Sequence, residues 1–60
     1  FFPNPTKGIV HLPEAIEWKV FSVTGTLLNS GGSNMVDLRT CKEGVYLVLL
    51  MGKFHKVIKL

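Results

Sequence analysis

Apolar residues in this chain fall in short runs broken by glycine and proline, and no run keeps a helical period with a polar stripe opposite. Ile9-Val10-His11-Leu12 predicts a short first strand stopped by Pro13. Ile16 to Val23, rich in β-branched and aromatic residues, predicts a second, with Trp18 and Val20 on one face and Phe21 and Val23 on the other. Neither face of it is simply wet. Thr24-Gly25 supplies a turn before Thr26-Leu27-Leu28, so residues 16 to 28 read as a β-hairpin. Asn29 to Asn34, containing Ser-Gly-Gly-Ser, has no apolar anchor and reads as a flexible loop, the place to expect disorder.

Met35 to Leu38 predicts another short strand, and Arg39 to Gly44 an irregular connection ending in glycine. Val45 to Met51 is continuously apolar, and its length and its Val and Tyr content suit a strand. Val45, Leu47 and Leu49 form one face and Tyr46, Val48 and Leu50 the other, so this strand is expected to be central and covered on both sides. Gly52-Lys53 turns the chain into a last strand, Phe54 to Leu60. There Phe54, Ile58 and Leu60 share one parity, expected to be packed, while Lys53, His55 and Lys59 share the other, expected to be wet.

A helix over Leu12 to Val23 would have Pro13 in its first turn, but Trp18, Val20, Phe21 and Val23 leave it no clean polar stripe. Short strands between close glycine and proline punctuation instead predict an antiparallel sandwich or a small barrel. Ahead of the first strand, Phe2-Pro3-Asn4-Pro5 is a stiff arm, because each proline fixes its own φ and pushes its predecessor toward extended geometry. Asn4 or Thr6 can form a side-chain turn and Gly8 can take a positive φ, so the arm should bend once before the first strand.

Sixty residues make one domain at most, with a marginal core. A net charge of +3 and 18% charged residues fall short of the dense basic surface of a nucleic-acid binder. Cys41 is the single cysteine, which excludes an internal disulfide and a multi-cysteine metal site but does not fix the compartment. Seven residues is the longest apolar run, too short to span a bilayer, so no membrane insertion is expected. A start at Phe1 rather than Met suggests a fragment or processed product, any leader lying outside it.

Catalytic chemistry finds little support. Cys41, His11, His55 and Asp37 could in principle form a nucleophilic set, but Cys41 reads better as a loop or partly buried thiol and each histidine as an ordinary strand residue. One cysteine and two distant histidines lack zinc-ligand spacing, so no metal or other cofactor is expected. Glu14 and Glu17 read as a solvated strand approach and not as a glycosidase pair. Gly31-Gly32 lacks the lysine of a phosphate loop. Phe54 falls on the face opposite Lys53, His55 and Lys59, so no base-stacking platform forms beside those charges. That strip reads as a solvated face guarding a terminal strand. The strand edge decorated with Lys53, Lys56 and Lys59 is also a surface that another protein could recognise by charge and backbone pairing.

The order of motifs carries more than any one of them. Phe2-Pro3-Asn4-Pro5-Thr6, then Val20-Phe21-Ser22-Val23-Thr24-Gly25, then Asp37-Leu38 leading to Glu43-Gly44-Val45-Tyr46-Leu47-Val48, then Lys56-Val57-Ile58-Lys59 together resemble the C-terminal sorting domain of proteins exported by the type IX secretion system of Bacteroidetes. The resemblance spans essentially the whole chain. It implies an all-β fold, a small antiparallel Ig-like β-sandwich over residues 1–60 forming the tail of a larger secreted protein. The implied role is a non-catalytic signal that directs folded cargo from the periplasm across the outer membrane to the cell surface or beyond. Its implied partners are the outer-membrane export machinery and a surface cysteine protease that usually removes the domain, after which cargo is released or anchored.

Within the resemblance, Phe2, Pro3, Asn4 and Pro5 match the opening aromatic-Pro-Asn-Pro box and Gly8 the glycine after it. Gly25 matches the hairpin glycine, Gly44 and Tyr46 the Gly-x-Tyr start of a strand, and Lys56 and Lys59 the basic terminal strand associated with export. Lys53, Lys56, Val57, Ile58, Lys59 and Leu60 are therefore the recognition candidates, with Phe2 expected to dock against the sandwich and help present them. Ser22 stands where the family commonly has Asp or Asn, which predicts a weaker turn bond, and Cys41 where it has a small or apolar residue. The competing function is a β-sandwich accessory module binding a glycan or protein at the surface, which would want two or more exposed aromatics together.

Overall fold

The computed structural model describes residues 5–60, so the expectations for Phe2, Pro3 and Asn4 lie outside the described residues. Six strands run in order: β1 (Ile9–His11), β2 (Trp18–Ser22), β3 (Leu27–Gly31), β4 (Met35–Asp37), β5 (Gly44–Leu50) and β6 (Lys53–Lys59). All their pairings are antiparallel: β1 with β4 in one sheet, and β3-β2-β5-β6 in the other. Buried side chains from both sheets form one cluster, with Val10, Leu12, Val36 and Leu38 from the small sheet and its flanks, and Trp18, Val20, Val48, Leu50 and Val57 from the large one. The fold is all-β and antiparallel, as the punctuation and the resemblance imply.

The predicted loop at Asn29 to Gly31 is instead strand. Beyond the Thr24-Gly25 turn, where Gly25 has φ 94°, β3 pairs with β2 as far as Trp18↔Gly31, with a bulge at Val20/Phe21. Side-chain bonding replaces the missing apolar anchor, since Asn29 Nδ2 donates to the Asp37 carbonyl at 3.3 Å and Asn29 Oδ1 accepts from the Ser30 amide at 2.9 Å. The second strand is shorter than expected, Trp18–Ser22 rather than 16 to 23. Ser22 makes the turn bonds itself: its hydroxyl meets Thr24 Oγ1 at 2.8 Å and accepts from the Thr26 amide at 3.1 Å.

β5 is central, between β2 and β6, and among the described residues its core-side positions are the buried ones. Val48 and Leu50 are buried and Tyr46 half-buried on the core side, while Val45 is 41% exposed on the other. The two short strands of the small sheet have only one face to cover.

The face assignment of the last strand is inverted. A two-residue turn at Met51-Gly52, both with positive φ (50° and 78°), sets Lys53 opposite Leu50, so Val57 falls opposite Tyr46 and enters the core. Val57 is 1% exposed, whereas Phe54, Ile58 and Leu60 are 60%, 38% and 59% exposed. Of the odd-numbered residues expected to be wet, His55 and Lys59 are half-buried.

After Pro5 the chain turns through Thr6 and not through a glycine φ. Thr6, 1% exposed, accepts the Gly8 amide on Oγ1 at 3.0 Å and donates from it to the Ile9 carbonyl at 2.8 Å. Gly8 is required for a different reason: a β-carbon there would lie 2.7 Å from Arg39 Cγ.

Candidate recognition surface

The terminal strand is held by contacts the sequence pattern leaves implicit. On its outer edge Thr6 forms a parallel bridge with Lys59, its amide donating to the Ile58 carbonyl and its carbonyl accepting from the Leu60 amide, both at 2.8 Å. The carboxyl-terminal part of that edge is thus covered, which corrects the expectation of an open strand edge there. Lys59 Nζ donates to the Cys41 carbonyl at 2.7 Å, and the Tyr46 hydroxyl donates to the Lys42 carbonyl. These bonds pin the 39–43 connection from two sides. A tyrosine hydroxyl bonded a few residues upstream is a device of Ig-like sandwiches, and Gly44, at φ 149°, allows the chain to turn into β5 just before it.

The candidates therefore divide. Lys53, Lys56, Ile58 and Leu60 present side chains to solvent, while Val57 is a core residue and Lys59 a clamp on the 39–43 connection. Among the motif residues, Pro5 is exposed, Gly8 buried against Arg39, Gly25 and Gly44 sit at positive φ, and Tyr46 is half-buried.

Sequence reasoning gave Thr6 only a local turn, although the Thr-x-Gly spacing that marks the turn also marks the residue closing the β6 edge. It missed the edge-on pair of Phe21 and Phe54, ring centroids 5.8 Å apart, because it assigned Phe54 to the core.

Charge chemistry is spare. Arg39 grips the Asp37 carboxylate through Nε and Nη2, each at 3.0 Å, and its amide donates to the same carboxylate at 2.9 Å. The Arg39 side-chain bonds, and then its amide, hold the Asp37 pKa down at about 2. Asp37 is thus committed to Arg39. Cys41 is half-buried against the core. No group of three or more His, Cys, Asp or Glu among the described residues could hold a metal ion.

A family model described as the secretion system C-terminal sorting domain matches residues 1–60, the whole chain. The chain belongs to that family. The sorting domain is a C-terminal signal for type IX secretion, carried by a cargo protein and directing it toward the cell surface or the extracellular space. No curated protein and no solved structure matches the chain. In this sorting domain the motif residues Gly8, Gly44 and Tyr46 act on backbone geometry: Gly8 lets Arg39 approach, Gly44 takes a positive φ, and Tyr46 bonds the Lys42 carbonyl.

Proposed function

We propose that residues 1–60 act as one non-catalytic sorting domain at the end of a larger secreted protein, read by the outer-membrane export machinery through the side chains that β6 presents to solvent. The observation that carries this reading is the family match over the whole chain, together with a terminal strand whose Lys53, Lys56, Ile58 and Leu60 are exposed on a pinned backbone. Val57 and Lys59 serve by holding that strand in place. Cargo passes through the periplasm, and a surface cysteine protease then removes the domain. The accessory-module alternative wants two exposed aromatics together, but Trp18 is 4% exposed and Phe21 is half-buried, which leaves Phe54 alone exposed in its pair.

The test separates contact from folding. Replacing Lys53 by alanine should leave the thermal melt of the domain unchanged and reduce release of a fused reporter from a type IX-competent cell, and Lys56→Ala, with folding checked by circular dichroism, should reduce it further. Full release from a domain with an unchanged melt would contradict recognition by these side chains.

A further inference from the structure

The positions of β2, β5 and β6 that face away from the core form a mainly apolar surface. Register places Phe21 beside Leu47 and Leu47 beside Lys56; Lys19 beside Leu49 and Leu49 beside Phe54; and Val45 beside Ile58. Phe54 is 60% and Ile58 38% exposed, and Phe21, Leu47 and Leu49 are half-buried, their strand partners among the described residues lying in their own sheet. The Phe21 and Phe54 rings meet edge to face although β5 runs between their strands, so together they roof its leucines. The paired outward positions of β2, β5 and β6 carry two lysines, Lys19 and Lys56, and no carboxylate.

We propose that this face docks a protein segment of the export apparatus with an apolar ridge flanked by Asp or Glu. The inference deepens the sorting reading and rests on it. Charge complementarity selects this occupant. A second copy seated face to face would bring lysines against lysines, and the outward positions span roughly 15 Å by 17 Å at about 4.8 Å between strands and about 3.3 Å per residue. That is well below the ~800 Å² each partner contributes to a standard stable interface. A contact of this size is transient, as a signal that must let go requires. An anionic membrane is disfavoured because two lysines fall short of the roughly four to eight clustered cations that mark lipid-binding surfaces.

The experiment places the photo-crosslinker p-benzoylphenylalanine at position 54, and separately at position 47, in a reporter fused to residues 1–60 and expressed in a type IX-competent cell. Peptide mapping should find adducts at both positions to one protein segment containing apolar residues next to Asp or Glu. Lys19→Glu with Lys56→Glu should lower adduct yield about tenfold or more, while Lys7→Glu with Lys42→Glu, an equal charge change elsewhere on the surface, should not. Circular dichroism of both double variants should match the parent, and the crosslinker at position 54, an exposed site, does not depend on core packing. Adducts to lipid, adducts to a second copy, or no adduct from a reporter that is nonetheless exported would overturn the docking face alone. A parent fusion retained in the cell would overturn the sorting role of this chain and the docking with it.

Discussion

Gly31 lies so close to the Trp18 indole that a β-carbon on it would sit 2.5 Å from Cζ2 and 2.8 Å from Cε2. The two are cross-strand partners at the end of the β2-β3 ladder, and Trp18 is 4% exposed. A glycine in the middle of a polar stretch is thereby a packing residue. Gly31→Ala must displace the indole or the strand, and overpacking of this kind costs about 1–3 kcal/mol. Urea unfolding followed by tryptophan fluorescence should show the unfolding free energy fall by that amount, whereas Gly32→Ala, where nothing lies within 4 Å of a β-carbon, should leave it nearly unchanged.

Thr6 is the one buried polar residue among those described, and its hydroxyl serves the Gly8 amide and the Ile9 carbonyl. Thr6→Val keeps the shape and strands both partners, at about 1–3 kcal/mol. The same change should speed hydrogen exchange at the Leu60 amide, which bonds to the Thr6 carbonyl. Loss of stability without that local loosening would show that the hydroxyl and the β6 bridge are independent.

Met51 has φ 50°, a left-handed conformation that a methionine adopts at a cost, and its side chain is 79% exposed. Asn-Gly is the preferred sequence for a two-residue hairpin turn with positive φ at both positions. Met51→Asn should therefore raise stability by up to about 1 kcal/mol, relieving part of the left-handed penalty of about 1–2 kcal/mol. A melting temperature that falls would contradict the strain.

The Asp37 carboxyl, held at about 2 by Arg39, titrates below its ordinary value of 3.8. A group whose folded pKa is depressed contributes stability that is present above the unfolded pKa and lost as pH falls through the folded one. Stability should therefore decline between about pH 4 and pH 2 through this pair, weakly because the pair is solvent-facing. Asp37→Asn should flatten the denaturation midpoint over that interval and leave its slope above pH 5 unaltered.

Strand existence was legible wherever β-branched and aromatic residues clustered, as at Trp18 to Ser22 and Val45 to Leu50, and Gly25 announced its turn. Facing was harder. Phe54, Ile58 and Leu60 outnumber Val57 as apolar residues in the last strand, so counting favours their side; register decides otherwise, because the Met51-Gly52 turn fixes Lys53 against Leu50 and every later residue follows. β3 was hidden for the opposite reason. Its order comes from hydrogen bonds of Asn29 and from contact of Gly31 with Trp18, and neither leaves a hydrophobic pattern. At the recognition surface the lysines were legible as charges, but that Lys59 clamps the Cys41 carbonyl while Lys53 and Lys56 face solvent depends on that same register.

The central claim is that this folded tail carries the address. The most direct measurement fuses residues 1–60 behind a periplasmic leader and a reporter enzyme, and compares reporter activity in the medium and on the surface of a type IX-competent strain with a strain lacking the outer-membrane secretion pore. External activity is expected in the first strain and periplasmic retention in the second. Equal release from both, or retention in both with the domain folded, would contradict it.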